Sequence, residues 1–284
     1  MSNNPLQKHF RRAALHIRLP TGGRWYDPGT INTNSEQQIR IFGLSAKDDI
    51  MLNTPDALLN GHALETVIQS CAPDVRDVKK LMQPDLDAIF LGIKAATNNG
   101  RFDIERKCTE CGEENTFEVH CAKLMEMTTF VEESDTVVMI GNDMRVHVKP
   151  YSYEMRTLMI QKQLEEQRVL TAIEKDQTIT DDMVRADILA RSVDKLADLT
   201  FRLVAQSISS IEILGQDAIT VTDSDHINEW LTNIDKNTAD AVIETVNALN
   251  NIGPPKETDA QCKECGFRWK EKLSFDPALF FTRQ

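Results

Sequence analysis

Two Cys-x-x-Cys-Gly runs, Cys108/Cys111 before Gly112 and Cys262/Cys265 before Gly266, constrain this 284-residue chain more than any other feature. Two residues between paired cysteines let both sulfurs reach one ion at a Zn–S distance of about 2.3 Å, and four thiolates complete the tetrahedral set of a structural zinc site. Glycine after each pair supplies the positive φ that so tight a turn needs. The 150 residues between Cys111 and Cys262 far exceed the intervals of about 12 to 20 residues in compact zinc modules. One ion bound by all four sulfurs would clasp a whole domain.

The flanks read as strands, Arg101 to Arg106 and Thr116 to His120 around the first pair and Phe267 to Leu273 after the second. That is the outline of a zinc ribbon. A thioredoxin-like redox pair would open a helix whose N-terminus lowers the thiol pKa, whereas both pairs here run into Gly and β-prone residues. Disulfides are disfavoured because the N-terminus shows no secretory pattern and thiols inside cells stay reduced. A catalytic zinc keeps a fourth position open, which four cysteines close. The zinc-deaminase pattern fails as well, since Lys107 and Gln261 stand where Pro precedes Cys. Cys71 reads as a small core residue on a helix face and Cys121 as a spare at a strand end. His120 is an alternative ligand that a complete set of four makes unnecessary.

An apolar fraction of 41% and a charged fraction of 27% are those of an ordinary soluble protein. No apolar run approaches the roughly 20 residues of a membrane span, so the expectation is a soluble, intracellular chain. A net charge of −12 argues against wholesale nucleic-acid binding, which calls for a basic domain or stripe. The charge is uneven, however. Residues 1–24 carry Lys8, Arg11, Arg12, Arg18 and Arg24 with no acid, so the remainder sums to −17. Arg11, Arg12, Arg18 and Arg24, with Trp25 and Tyr26 as aromatic anchors, are candidate partner-binding residues; the alternative is that they lie across the protein's own acidic surface.

Turn chemistry at Leu19-Pro20-Thr21-Gly22-Gly23 and Asp27-Pro28-Gly29 predicts a flexible basic arm over residues 1–35. Residues 36–125 read as a helical/β segment ending in the first knuckle. It holds a strand over Gln38–Leu44, then a helix opened by Thr54 as N-cap and Pro55 at the first helical position. Leu58, Leu59, Ala63, Val67, Ile68 and Cys71 supply the buried face of that helix. A second helix runs from near Pro84 with the stripe Leu86, Ile89, Phe90 and Ile93, and stops at Asn98-Asn99-Gly100. Residues 126–258 read as a helix-rich insertion with two hairpins, Val137–Ile140 with Met144–Val148 and Ile211–Leu214 with Ala218–Val221. Long helices over Tyr153 to about Glu174 and Asp181 to about Ser209, and two more from about Asp223 and Asn237, complete it. The stripe Leu189, Val193, Leu196 and Leu203 is expected to pack internally, the alternative being that the two long helices offer an exposed face to a partner helix. Residues 259–284 hold the second knuckle and the C-terminal strand. The fold class expected is α+β, a mainly helical body with short β-hairpins and a zinc ribbon formed by the two distant knuckles. No nucleotide cradle, nucleophile elbow or metalloprotease helix occurs, so no enzyme is expected.

One combination in the N-terminal third points to a family. Leu19-Pro20-Thr21-Gly22-Gly23-Arg24-Trp25-Tyr26, Ser45-Ala46-Lys47-Asp48-Asp49-Ile50-Met51-Leu52 and Asn53-Thr54-Pro55-Asp56-Ala57-Leu58-Leu59-Asn60-Gly61 resemble the baseplate hub assembly proteins of large T-even-like contractile-tailed bacteriophages. The likeness continues through Ile68-Gln69-Ser70-Cys71, the helix Asp85 to Ala96 and the first knuckle. The resemblance implies a non-enzymatic morphogenesis protein, an assembly factor or component of the central hub of the tail baseplate. Its partners would be hub subunits, with no small-molecule substrate and no membrane, and its place the host cytoplasm during assembly or the virion tail. Its cofactor would be one structural zinc ion per chain, by the cysteine spacing. Read from the knuckles alone, the alternative is a zinc-ribbon nucleic-acid-binding or transcription-associated module.

Overall fold

A computed structural model of the chain describes residues 4–52, 62–97, 100–175, 182–215, 218–273 and 275. The fold is mixed α+β, with eight helices and several small antiparallel sheets among the described residues. They fall into two compact units, one drawn from residues 1–131 and 251–284, the other from residues 132–250.

The first unit opens with β1 (Leu15–Arg18) and β2 (Gln38–Ile41), paired antiparallel. Ile17, Ile39 and Ile41 are buried, the period-2 face that a half-covered sheet requires. Next come α1 (Ala46–Leu52), α2 (His62–Cys71) and α3 (Gln83–Thr97). Ser45 and Asp48 close a reciprocal cap on α1: the Ser45 amide donates to Asp48 Oδ2 at 2.8 Å and the Asp48 amide to Ser45 Oγ at 3.2 Å. The helix start predicted at Thr54-Pro55-Asp56, with Leu58 and Leu59, lies outside the described residues. In α2, Ala63, Val67, Ile68 and Cys71 are buried as their spacing predicts.

Helix α3 is buried without a break from Gln83 to Ile93, so it is covered on every side, beyond the single stripe expected. Two carboxylates go in with it, and buried charge needs partners. Asp85 accepts the Thr21 amide at 2.8 Å, the Thr21 hydroxyl at 2.5 Å and the Tyr26 hydroxyl at 2.6 Å. Asp87 pairs with Lys256 Nζ at 2.9 Å and accepts from Gln83 Nε2 at 2.5 Å. The turn-rich stretch from Leu15 to Ile31, which reads as part of a flexible arm, is bound into this unit. Ile17, Leu19 and Thr21 are buried, Val131 donates its amide to Pro20 O at 2.9 Å, and the acceptor for Thr21 stands 64 positions along the chain. Strands β3 (Arg101–Lys107) and β4 (Glu114–His120) then pair antiparallel from Arg101↔His120 to Lys107↔Glu114. A short α4 (Cys121–Glu126) follows.

The second unit holds β5 (Val137–Ile140), β6 (Met144–Val148), the long α5 (Tyr153–Lys175) and α6 (Asp182–Ser207), β7 (Ile208–Ile213), β8 (Ile219–Val221), α7 (Ser224–Asn233) and α8 (Lys236–Asn251). The two expected hairpins are halves of one four-stranded antiparallel sheet of order β5-β6-β7-β8, joined by β6–β7 pairing in which Val148 faces Ile208. Helices α5 and α6 are thus an excursion between neighbouring strands. Asp223 caps α7 by accepting the amides of Asp225 and His226 at 3.1 and 2.9 Å. Ile227, Leu231, Val242, Val246 and Leu249 from α7 and α8 are buried, with Val146, Val148, Leu203 and Ile211.

The stripe expected to pack internally along α6 divides. Leu203 is buried, but Leu189 and Val193 are 50% and 59% exposed. Among the described residues the seam with α5 includes polar contacts: Ser192 Oγ donates to Glu166 Oε2 at 2.8 Å and Lys195 Nζ approaches Glu166 Oε1 at 3.4 Å. No helix among the described residues is long and apolar enough to cross a membrane.

The chain re-enters the first unit where Thr129 and Gly253 meet, the Thr129 amide donating to Gly253 O at 3.0 Å and the Gly253 amide to Thr129 Oγ1 at 3.1 Å. The last strands, β9 (Glu257–Gln261) and β10 (Arg268–Lys272), pair antiparallel.

Candidate metal centre

Each knuckle is the turn of a hairpin, β3–β4 or β9–β10, and the two turns are built alike. The Cys108 amide donates to Glu113 O at 2.8 Å and Gly112 to Cys108 O at 2.9 Å; the Cys262 amide donates to Phe267 O at 2.8 Å and Gly266 to Cys262 O at 3.1 Å. Gly112 and Gly266 take φ of 75° and 74°, the left-handed conformation that an L side chain resists.

The four sulfurs of Cys108, Cys111, Cys262 and Cys265 lie within 4.8 Å of one another. Cys108 and Cys265 are 3.7 Å apart at sulfur, Cys111 and Cys262 3.6 Å. A tetrahedron with Zn–S of about 2.3 Å has sulfur–sulfur edges of about 3.8 Å, whereas a disulfide holds its sulfurs at about 2.05 Å. The donor set fits a divalent ion that prefers thiolates, and four sulfurs leave no open position for substrate. Cys262 is held down to about 6, first by the Cys265 amide and further by the Glu264 amide, Asn115 and Cys111, against the effect of burial. Cys111 is stabilised by the Glu113 amide but pushed up to about 12 by desolvation and by its neighbouring thiols. A metal held by these sulfurs would displace their protons, so its affinity would rise with pH.

Contacts around the sulfurs join the two hairpins. Phe117 meets Trp269 edge-on with centroids 5.4 Å apart, and Arg106 Nε donates to Glu271 Oε1 at 2.8 Å. Asn115, buried beside the cluster, donates from Nδ2 to Cys262 Sγ at 3.5 Å and accepts the Lys263 amide at 2.9 Å. No sequence signal marks Asn115, a single polar residue in a strand of mixed polarity. His120 is outside the cluster and faces Glu118 at 3.1 Å. Cys71 and Cys121 are also outside it; burial pushes both thiols up to about 11.

The basic and aromatic candidates near the N-terminus divide by their surroundings. Arg11 reaches Asp48 Oδ2 at 3.2 Å and Ser70 O at 2.8 Å, with further bonds to Gly43 O and Ser70 Oγ. Tyr26 turns its hydroxyl onto Asp85, receives the Met82 amide at 2.9 Å and is pushed well above its ordinary pKa, by burial first and then by the charge of Asp85. Arg12, Arg18 and Arg24 are exposed, Arg18 with its guanidinium 5.0 Å from the Phe130 ring centroid. Trp25 is half-buried at a φ of 66°.

A family model described as T4 bacteriophage base plate protein matches residues 19–282, nearly the whole chain. No curated protein and no solved structure matches.

Proposed function

The chain belongs to the T4 bacteriophage base plate protein family, and from that premise we propose that it is a non-enzymatic assembly factor for, or component of, the central hub of the base plate. It works by protein–protein contact in the host cytoplasm during assembly, and one structural zinc ion closes its frame. The observation that carries this reading is the extent of the family match, which takes in both knuckles and all of residues 132–250. The role belongs to the whole chain, not to a detachable ribbon. A closed four-sulfur set supports structure over reaction, because zinc catalysis needs a free position.

The proposed partner surface is Arg12, Arg18, Arg24 and Trp25, facing an acidic hub subunit. Arg11 and Tyr26 hold that segment in place, since their polar ends are engaged within the first unit. The nucleic-acid reading weakens, because cations on the ribbon have carboxylate partners: Arg106 with Glu271, Lys107 with Glu114 and Lys270 with Asp259 at 2.8, 3.2 and 2.9 Å. A strip built to hold phosphates presents unpaired cations.

Mass spectrometry of partially assembled base plates beside purified virions tests the role. Presence in hub intermediates is expected, and retention in virions separates component from assembly factor; absence from both overturns the proposal. Arg12→Glu, Arg24→Glu and Trp25→Ala together are expected to weaken capture of hub subunits at least tenfold, and unchanged capture would remove this surface.

A further inference from the structure

We propose that Asn115 is the latch of the metal centre, a positioning residue that carries the first hairpin across to the second and aims the Cys262 sulfur at the ion. The inference rests on the zinc reading above and adds a residue to it. Asn115 is only 2% exposed, and two backbone groups fix its amide orientation. Glu113 O can only accept, and it receives Nδ2–H at 2.9 Å; the Lys263 amide can only donate, and it reaches Oδ1 at 2.9 Å. One N–H remains, with Cys262 Sγ 3.5 Å from Nδ2. The sulfur is therefore an acceptor, the role a metal-bound thiolate plays.

The likeness of the two knuckles makes this residue stand out. Seven positions beyond Cys108 is Asn115, and seven beyond Cys262 is Trp269, whose Nε1 donates to Glu271 Oε2 at 3.0 Å and not to a sulfur. Through Asn115 the Glu113 carbonyl, the Lys263 amide and the Cys262 sulfur share one side chain, across 148 positions of sequence. Groups that orient ligands in this way change metal affinity by about 10- to 100-fold when removed.

The isosteric Asn115→Asp tests it in the full-length chain. A carboxylate oxygen in place of Nδ2 faces both Glu113 O and the Cys262 thiolate, so repulsion replaces two bonds at unchanged volume. Chelator competition is expected to show zinc bound about 10- to 100-fold more weakly in N115D than in wild type, with N115A between them. Cobalt(II)-loaded N115D is expected to show shifted thiolate-to-metal absorption. Wild-type zinc affinity and an unshifted cobalt spectrum in N115D would overturn the latch while leaving the zinc site standing. A wild-type chain that binds no zinc would overturn both. Should N115D lose its helical circular dichroism, Lys263→Pro removes the amide that holds Oδ1, although it also fixes φ at residue 263 and restricts Cys262, and is expected to speed zinc release severalfold over Lys263→Ala, which keeps the amide; release equal in the two variants would overturn the latch.

Discussion

Asp85 shows how one residue ties distant parts of this chain together and makes its stability depend on pH. Burial raises its carboxyl to about 6, against the lowering effect of the Thr21 and Tyr26 hydrogen bonds. In an unfolded chain the same group titrates near about 3.9, so the folded state holds the proton more tightly. The stabilisation is complete below pH ~4 and is lost as pH rises through about 6, a swing of roughly 3 kcal/mol. Chemical denaturation of wild type and Asp85→Asn from pH 4 to 7.5 should show the advantage of wild type shrinking by that amount, where parallel curves would refute the assignment. For the proposed metal centre, the expectation is one zinc per chain by elemental analysis in wild type and none in Cys108→Ser or Cys262→Ser; full zinc in either variant would mean that the knuckles do not share an ion. The four cysteines are legible in the sequence because their spacing is itself chemical. Asp85 and Asn115 are not, because their partners lie 64 and 148 positions away and a lone polar residue carries no period.

At the scale of elements, periodicity records that a face is apolar but not what covers it. Leu196 and Leu203 continue the same spacing as Leu189 and Val193, yet Leu203 is buried while Leu189 and Val193 are exposed, and in that half of α6 it is Ser192 that is buried against α5. Leu189→Gln and Val193→Gln are therefore expected to change unfolding free energy by no more than about 0.5 kcal/mol. Leu203→Ala should cost about 2 to 5 kcal/mol, as buried leucines do. Urea titration measures all three, and a large loss at Leu189 would show that its face is covered after all. The hairpins were each readable from alternation and turn residues. Their union was not, since β6 and β7 pair around two long helices and nothing local announces which strands adjoin.

For the whole molecule, the meeting of Thr129 with Gly253 places the two ends of residues 132–250 side by side. If the zinc site proposed above is present, replacing that segment by a short Gly-Ser linker is expected to leave a first unit with the same metal content as the full chain, as read by elemental analysis and cobalt absorption; loss of the metal would show that the second unit is needed to form the site. The division into units is faint in the sequence, where residues 126–258 stand out only by a change of pattern, while the structure divides the chain at 131/132 and 250/251, with all four sulfurs in the first unit. Bringing them together also has a timetable. Cys262 follows Cys111 by 151 positions, and at about 5 to 20 residues per second of synthesis the first two thiols wait roughly 8 to 30 s for the second pair. Until then the nascent chain carries only two of the four thiols, while residues 132–250 are synthesised between the pairs. If the four sulfurs hold zinc as proposed, full coordination requires that translation has passed residue 265, and a ribosome that stalls earlier would leave the set incomplete.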